Sequence, residues 1–142
     1  MTLNSQTKKL YVFKDIMMVK VKRPVPIYTT AGDLEAYMVY PNIFSLTGEW
    51  IGFVTMDREV YSVHGEYVGW ISDDPRILRK RSYNFDKPRL TPPPQPEKLL
   101  VPPGGPLAPM MSELSFDIID VLEEEPEKLP TVDAGEFRED MD

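Results

Sequence analysis

One twelve-residue pattern occurs three times between Ile27 and Ile71, and it constrains the fold more than any other feature. The copies read IYTTAGDLEAYM, IFSLTGEWIGFV and VYSVHGEYVGWI, and they begin at Ile27, Ile43 and Val60, so the repeat length is 16 and then 17 residues. Each copy has Gly near its middle, an acid after that Gly, and a small residue followed by an aromatic near its end. Three such copies at nearly fixed spacing indicate a repeat architecture.

Each copy has the pattern of a strand, a tight turn and a second strand. Because glycine tolerates positive φ, the chain can reverse at the central Gly with little steric cost. We therefore predict an all-β fold, with tandem β-hairpin repeats of 16–17 residues in a small antiparallel sheet or barrel-like assembly. The small residue near the end of each copy is predicted to lie beneath a ring of the preceding hairpin. The predicted core rings are Tyr28, Tyr37, Phe44, Phe53, Tyr61 and Trp70.

The flanking residues extend this repeat domain to residues 9–85. Residues 10–23 are rich in β-branched and aromatic side chains and predict two strands, either as a degenerate copy of the repeat or as separate strands. Ile77 follows Val60 by 17 residues, which predicts a truncated fourth copy that supplies one strand. Residues 1–8 are polar and are predicted to be disordered.

Two segments of unusual composition follow the repeats. Nine of the fifteen prolines fall between Pro88 and Pro109, so residues 86–112 are predicted to be an extended proline-rich linker. Residues 113–142 hold 12 of the 23 acidic side chains and 2 of the 16 basic ones, and we interpret them as an acidic tail. A short helix is predicted over residues 113–125, docking through Leu114, Ile118, Val121 and Leu122. Its docking surface could belong to the same chain, to a second copy or to a protein partner.

Composition narrows the function classes. The chain has no cysteine, which excludes disulfides and thiol chemistry. No apolar run approaches the length of a membrane span or a signal peptide, so a cytoplasmic location without membrane contact is expected. No phosphate-binding glycine motif occurs. We expect no cofactor and no metal site.

The repeats resemble the four-fold β-flower domain, a bacterial family of small β-hairpin repeats with a G-x-x-x-G/A-aromatic rhythm. The resemblance covers about residues 26–83, and its residues are Gly32, Ala36, Tyr37, Gly48, Gly52, Phe53, Gly65, Gly69 and Trp70. It implies a homo-oligomer with four-fold symmetry and no established activity. The segments GEWIGFV and GEYVGWI are also similar to an element of the PRC-barrel domain, which uses it once or twice rather than three times in tandem. MORN repeats alternate Gly with aromatics too, but they are longer.

The variable positions of the repeat are the first place to look for a binding site. Trp50 and Tyr67 follow the acids of the hairpin tips, and His64 precedes a turn glycine. Glu49 and Glu66 occupy matching positions, and oligomerisation could gather such carboxylates into a ring. These five residues are the candidate partner-binding residues. An enzyme would need a titratable cluster shared between subunits, because one chain does not visibly supply it.

A second candidate site is basic. Arg76, Arg79, Lys80 and Arg81 precede Tyr83, a composition typical of contacts with nucleic acid or another polyanion. The competing interpretations are a solvated strand end and a docking site for the acidic tail, and these are favoured. If nucleic acid does bind, the tail would act as an intramolecular competitor.

The leading hypothesis from sequence is a non-enzymatic, homo-oligomeric β-repeat scaffold or binding module of unknown ligand, with a tetramer as the expected assembly. Three small hairpins expose sheet edges and enclose little core, and symmetric assembly would relieve both problems. Nucleic-acid binding and an enzyme with a subunit-shared site are the alternatives.

Overall fold

The computed structural model describes residues 23–132, and these form one antiparallel sheet of eight strands. Each strand pairs with the next along the chain, so the sheet is a meander that curls. The predicted fold class is confirmed. A short helix and one turn of 3₁₀ helix (Pro126–Lys128) follow the last strand. The elements are β1 (Val25–Tyr28), β2 (Leu34–Val39), β3 (Asn42–Ser45), β4 (Trp50–Val54), β5 (Glu59–Ser62), β6 (Tyr67–Ile71), β7 (Ile77–Lys80), β8 (Ile118–Asp120) and α1 (Val121–Glu124).

The hairpin turns explain the Ser or Thr and the Gly of the pattern. In the β3–β4 turn, the backbone N–H of Ser45 donates to the carbonyl of Glu49 at 2.8 Å, and the Ser45 hydroxyl accepts from the Glu49 N–H at 3.2 Å. Gly48 has a φ of 87°, which a residue with a side chain adopts only with strain. The same arrangement recurs in the other two turns, with Thr29, Gly32 and Asp33 and with Ser62, Gly65 and Glu66.

The core is aliphatic. The residue that opens each copy is fully buried, and so is Ile77 at the start of β7. These side chains form one cluster with residues from the other strands and from the tail: Ile27, Ala36, Ile43, Ile51, Val54, Val60, Val68, Ile71, Ile77, Ile119, Val121 and Leu129. Of the predicted core rings, five are buried and Trp70 is half-buried, but none belongs to this cluster. The rings are therefore packed outside the central aliphatic cluster.

The small residue of the repeat does not accommodate a ring, and that prediction is wrong. A Cβ added to Gly52 would meet the carbonyl oxygen of Tyr61 in the next strand, at 2.5 Å. A Cβ added to Gly69 would collide with the carbonyl oxygen of Leu78 in the same way. These positions are small because the neighbouring strand's backbone approaches closely.

The acidic tail completes a fourth antiparallel strand pair. We call this pair the fourth hairpin, although a long connection rather than a tight turn joins its strands. The strand β7 lies where the truncated fourth copy was predicted, and its partner β8 comes from residues 118–120, which pair Leu78 with Asp120 and Lys80 with Ile118. The backbone N–H of Arg81 extends this pairing by donating to the carbonyl of Asp117 at 2.7 Å. Four hairpins thus arise from one chain.

The helix predicted over residues 113–125 is consequently shorter than expected. Only Val121–Glu124 is α-helical, and its N-cap is Asp120, whose side chain accepts from the Glu123 N–H at 3.4 Å. The unpaired edge of β7 offers hydrogen-bonding groups, and β-branched Ile118 and Ile119 fit a strand better than a helix. The preceding residues therefore join the sheet.

The proline-rich residues 86–112 have no regular secondary structure but lie against the hairpin turns, and we call them the strap. The Leu90 N–H donates to the carbonyl of Gly65 at 3.0 Å, and the Leu99 N–H donates to the carbonyl of Gly48 at 3.0 Å. Farther along, Pro106 accepts from the hydroxyl of Tyr28 at 2.8 Å. The strap therefore contacts the third, second and first hairpins in that order.

The charges of the strap match the tip acids of the hairpins. Arg89 pairs with Glu66 at 3.0 Å, and Lys98 pairs with Glu49 at 3.2 Å. Each basic residue precedes the leucine that donates to a turn glycine, so a basic-Leu pair recurs after nine residues in the strap. These surface ion pairs are individually weak, so each adds little to the free energy of unfolding. Their role is to align Arg89 with the third hairpin and Lys98 with the second.

The remaining sequence predictions for the chain ends lie outside the described residues. These are the prediction of disorder for residues 1–8, the prediction of two strands before residue 23, and the final part of the predicted acidic tail, residues 133–142.

Alanine at Gly48 or Gly65 should destabilise the protein more than alanine at Gly32. All three glycines have positive φ, so each substitution strains the turn by about 1–2 kcal/mol. A Cβ at Gly48 or Gly65 would also collide with the carbonyl oxygen of Leu99 or Leu90, whereas at Gly32 the nearest atom is 3.9 Å away. Urea unfolding measures the difference. Equal losses in all three variants would show that the strap does not seat on the turns.

Candidate functional site

Arg76, at the start of the fourth hairpin, is a buried cation with three partner residues. Its side chain is 1% exposed. The guanidinium donates to both carboxylate oxygens of Asp74 at 3.1 and 2.6 Å, to the hydroxyl of Thr30 at 3.0 Å and to the carbonyl of Ser112 at 3.0 Å. Arg76 therefore joins the first hairpin, the turn before β7 and the end of the strap.

The tip of the first hairpin is also tied to the end of β8. The backbone N–H and the hydroxyl of Thr30 both donate to one carboxylate oxygen of Asp120 at 2.7 Å. The Ala31 N–H donates to the carboxylate of Glu123 at 2.9 Å. These bonds bring the first and last hairpins of the meander together.

Arg79 is the second buried cation, with 3% exposure. It donates to both carboxylate oxygens of Glu125 at 2.8 and 3.2 Å, a two-pronged geometry that matches the guanidinium fork. This bond from Arg79, with a smaller contribution from the charge of Lys128, lowers the pKa of Glu125, although burial opposes the shift. Arg79 also lies 5.0 Å from the ring centre of Phe85.

Glu125→Gln should destabilise the fold by about 2–3 kcal/mol, because it leaves the buried charge of Arg79 without a carboxylate. The neighbouring Glu124→Gln is the matched control: Glu124 pairs with Arg81 at 3.3 Å, but both side chains are more than 40% exposed. Its loss should be at most about 0.5 kcal/mol. Urea unfolding at neutral pH tests both variants, and similar losses would contradict the role given to Arg79.

Asp74 should make stability depend on acid pH. Burial by itself raises its pKa, but hydrogen bonds from Arg76 and Ser72 outweigh burial and lower the pKa from 3.8 to about 2. Because the folded state holds the ionised form, the stabilisation is complete above the ordinary pKa and is lost as the pH falls towards about 2.

Asp74→Asn should therefore cost about 2 kcal/mol at neutral pH and flatten the decline in stability between pH 4 and pH 2. Asp73→Asn is the control, since the Asp73 side chain is fully exposed. Chemical unfolding across this pH range provides the measurement. A variant whose stability declines as steeply as that of the wild type would refute the assignment.

A cleft beside the third hairpin is the candidate functional site, and we call it the aromatic cleft. It has a volume of about 360 Å³ and opens to solvent. Its walls come from β6, from the segment after β7 and from the start of the strap. The lining residues are Glu66, Tyr67, Tyr83, Phe85, Lys87 and Arg89.

A continuous row of rings leads into the aromatic cleft. Phe53 stacks on Tyr61 with ring centres 5.5 Å apart, and Tyr61 meets Tyr67 edge to face at 5.6 Å. Tyr67 meets Tyr83 at 5.1 Å, and Tyr83 meets Phe85 at 4.9 Å, both edge to face. The row begins with buried side chains and ends with an exposed one, so the cleft walls are anchored in the sheet.

Phe85 is the most unusual residue of the aromatic cleft. Its ring is 56% exposed, and its backbone has a φ of 60°, which costs a bulky residue about 1–2 kcal/mol. The ring centre lies 5.0 Å from the Arg79 guanidinium and 4.6 Å from the amino group of Lys128. Cation–π attraction to two cations therefore helps to hold an exposed ring in a strained conformation.

The two tyrosine hydroxyls of the aromatic cleft can each donate a further hydrogen bond. The Tyr83 hydroxyl accepts from the Lys87 N–H at 3.0 Å, and its own proton has no acceptor within residues 23–132. Within residues 23–132, the Tyr67 hydroxyl makes no hydrogen bond. Burial and the nearby charge of Glu59 raise the pKa of Tyr67, so this hydroxyl stays protonated at neutral pH. A hydrogen bond to Glu59, 2.8 Å away, raises the pKa of Lys87.

The structure separates the predicted partner-binding residues. Trp50 is buried in a small cluster with Phe44 and Val63, while His64 is exposed at the tip of the third hairpin. Glu49 and Glu66 pair with different residues of the strap. Of the five, the aromatic cleft contains Tyr67 and Glu66.

The predicted polyanion-binding residues divide in the same way. Arg76 and Arg79 are buried against carboxylates, and Arg81 pairs with Glu124 of the tail. Lys80 is exposed, and Tyr83 lines the aromatic cleft. Two of the four basic residues, Arg79 and Arg81, thus pair with carboxylates of the tail, whereas Arg76 pairs with Asp74.

Among the predicted tail-docking residues, Val121 is buried in the core, and Leu114, Ile118 and Leu122 are half-buried. Sequence reasoning missed Ile119, which is 2% exposed in the core because β8 is a strand rather than a helix. It also missed Phe85, Lys87 and Lys128 as one group. The recurrence of a basic-Leu pair after nine residues was the available signal that the strap follows the hairpins.

A second, smaller cleft of about 160 Å³ lies among the turns that connect one hairpin to the next. Met56 on its rim is 90% exposed, and Tyr40 is 52% exposed. The cleft has no charged side chain other than that of Arg58, which pairs with exposed Asp73. It offers few groups that would orient a ligand.

In the described residues 23–132, no group of three or more His, Asp or Glu side chains is arranged to hold a metal ion. None of the helices described there has the length and apolar character that a membrane crossing requires.

The family model described as "4-fold beta flower protein" matches residues 25–116, which comprise β1 to β7 and the strap. No curated protein and no solved structure matches the chain.

Proposed function

The chain belongs to the 4-fold beta flower protein family, and from this premise we propose that it is a non-enzymatic binding module whose ligand site is the aromatic cleft. The four hairpins act as a rigid scaffold. The strap and the tail close that scaffold and supply part of the cleft wall.

The observation that carries this proposal is the conformation of Phe85. An exposed ring held at positive φ costs free energy, and strain of this kind persists where the surrounding structure enforces it, often at binding sites. Two cations enforce it here. Free hydroxyl protons on Tyr67 and Tyr83 add directional groups beside the rings, and rings with a few directional polar groups are what a ligand pocket needs.

The interior position of three other candidate residues supports the same proposal. Arg76, Arg79 and Trp50 are each at most 7% exposed, so a ligand cannot reach them without local unfolding. The aromatic cleft is the larger of the two described clefts and has charged groups of both signs at its rim.

Self-assembly into a homo-oligomer and a cytoplasmic location stay predictions. The argument from open edges is weaker than it was from sequence, because the tail covers β7 and the chain itself supplies four hairpins. Light scattering after size exclusion distinguishes a 16.3 kDa monomer from a tetramer of four times that mass.

A ligand screen by two-dimensional NMR tests the proposed function. Isotope-labelled protein is titrated with a chemically varied set of short peptides and small aromatic acids. We expect at least one ligand to shift resonances of Tyr67, Tyr83 and Phe85, and Phe85→Ala to weaken that ligand about tenfold, because the exposed ring supplies apolar contact area.

Met56→Ala is the matched control, since it removes an exposed apolar side chain from the other cleft. It should leave the affinity unchanged. A screen in which no ligand perturbs the aromatic cleft, or in which the Phe85 and Met56 variants bind equally well, would overturn the proposed function.

A further inference from the structure

The sheet already shows how it holds proline-rich backbone. The hydroxyl of Tyr28 donates to the carbonyl of Pro106 at 2.8 Å, within the strap. An extended proline-rich segment makes no hydrogen bonds within itself, so its carbonyl groups are available to such donors. One tyrosine hydroxyl is thus already a hydrogen-bond donor to this type of backbone in the same molecule.

The aromatic cleft repeats that chemistry without an occupant from the described part of the chain. The hydroxyls of Tyr67 and Tyr83 each have a proton that is not used within residues 23–132. Their ring centres are 5.1 Å apart, with the ring planes at 62°. Both residues line the same cleft, so their hydroxyls can donate to carbonyl groups of one extended peptide, which rises by about 3 Å per residue in the polyproline conformation.

The rings supply the second half of the recognition. Tyr83 and Phe85 meet at 64°, which leaves an angled wall, and Phe85 is half-exposed. A proline ring is flat, apolar and already fixed in conformation, so its burial against such a wall loses little conformational entropy. Aromatic-lined grooves recognise proline-rich segments by this combination.

The aromatic cleft lies where the strap begins, which also favours a proline-rich ligand. Lys87 and Arg89 line the cleft and are also the first anchors of the strap, through Glu59 and Glu66. The cleft is therefore continuous with a surface that already carries proline-rich chain.

We propose that the aromatic cleft binds a proline-rich segment of a partner protein in the extended polyproline conformation. Tyr67 and Tyr83 donate their hydroxyl protons to backbone carbonyls of that segment, and a proline ring packs against Phe85. This inference rests on the proposed function and names its ligand class.

The probe is a synthetic, end-blocked polyproline peptide of about ten residues, which forms this helix in water. A glycine-serine peptide of equal length is its control. The full chain is titrated with each peptide and followed by two-dimensional NMR and calorimetry. We expect polyproline to shift the resonances of Tyr67, Tyr83 and Phe85, and the control peptide to leave them in place.

Tyr67→Phe is the decisive variant, because it removes one hydroxyl and keeps the ring. The hydroxyl has no partner within the described residues, so thermal unfolding should be unchanged. Affinity for polyproline should fall about fivefold, the value of one hydrogen bond. Tyr40→Phe, which removes an exposed hydroxyl from the other cleft, should bind like the wild type.

Three results would overturn the inference. The first is the absence of resonance shifts at saturating polyproline, and the second is equal affinity of the wild type and Tyr67→Phe. The third is binding that shifts the amides of Leu90 and Leu99 instead, since that would show displacement of the strap. If another ligand of the screen still occupies the aromatic cleft, only the ligand class fails and the proposed function stands.

Discussion

Two buried guanidinium groups connect the distant segments of this fold. Arg76 and Arg79 are at most 3% exposed, and a buried cation without a carboxylate is strongly destabilising. The partner of Arg79, Glu125, lies 46 residues farther along the chain, and Arg76 also needs the carbonyl of Ser112. The proline-rich and acidic segments therefore belong to the folded unit.

This requirement explains how one chain reaches four hairpins. The repeats supply three, and the fourth needs a partner for β7, which within residues 23–132 is β8, beginning at Ile118. The connection between them has to pass around the molecule, and it does so as a strap whose Leu90 and Leu99 amides bind the turn glycines. The same connection places Lys87 and Arg89 at the aromatic cleft. Part of the candidate site is therefore formed by the segment that joins β7 to β8.

The local features could be read from the sequence, and the long-range ones could not. The Gly and Ser or Thr of each copy define a turn within five residues, so the three hairpins follow directly from the pattern. Residues 113–125 have an apolar face at helical spacing, and only the open edge of β7 decides that Ile118 and Ile119 extend as a strand. For the candidate site, Tyr67 and Glu66 were predictable because they sit at repeat positions. Phe85 and Lys128 were not, because tertiary contacts alone bring them together.

Native-state hydrogen exchange tests the central claim, that the strap and the tail are integral to the sheet. The informative amides are those of Leu90, Leu99 and Arg81, and the reference is the Ser45 amide inside a hairpin. The account predicts that all four open together, with one free energy and one dependence on denaturant. Exchange of Leu90, Leu99 and Arg81 at rates close to those of an unfolded chain, while Ser45 stays protected, would contradict it.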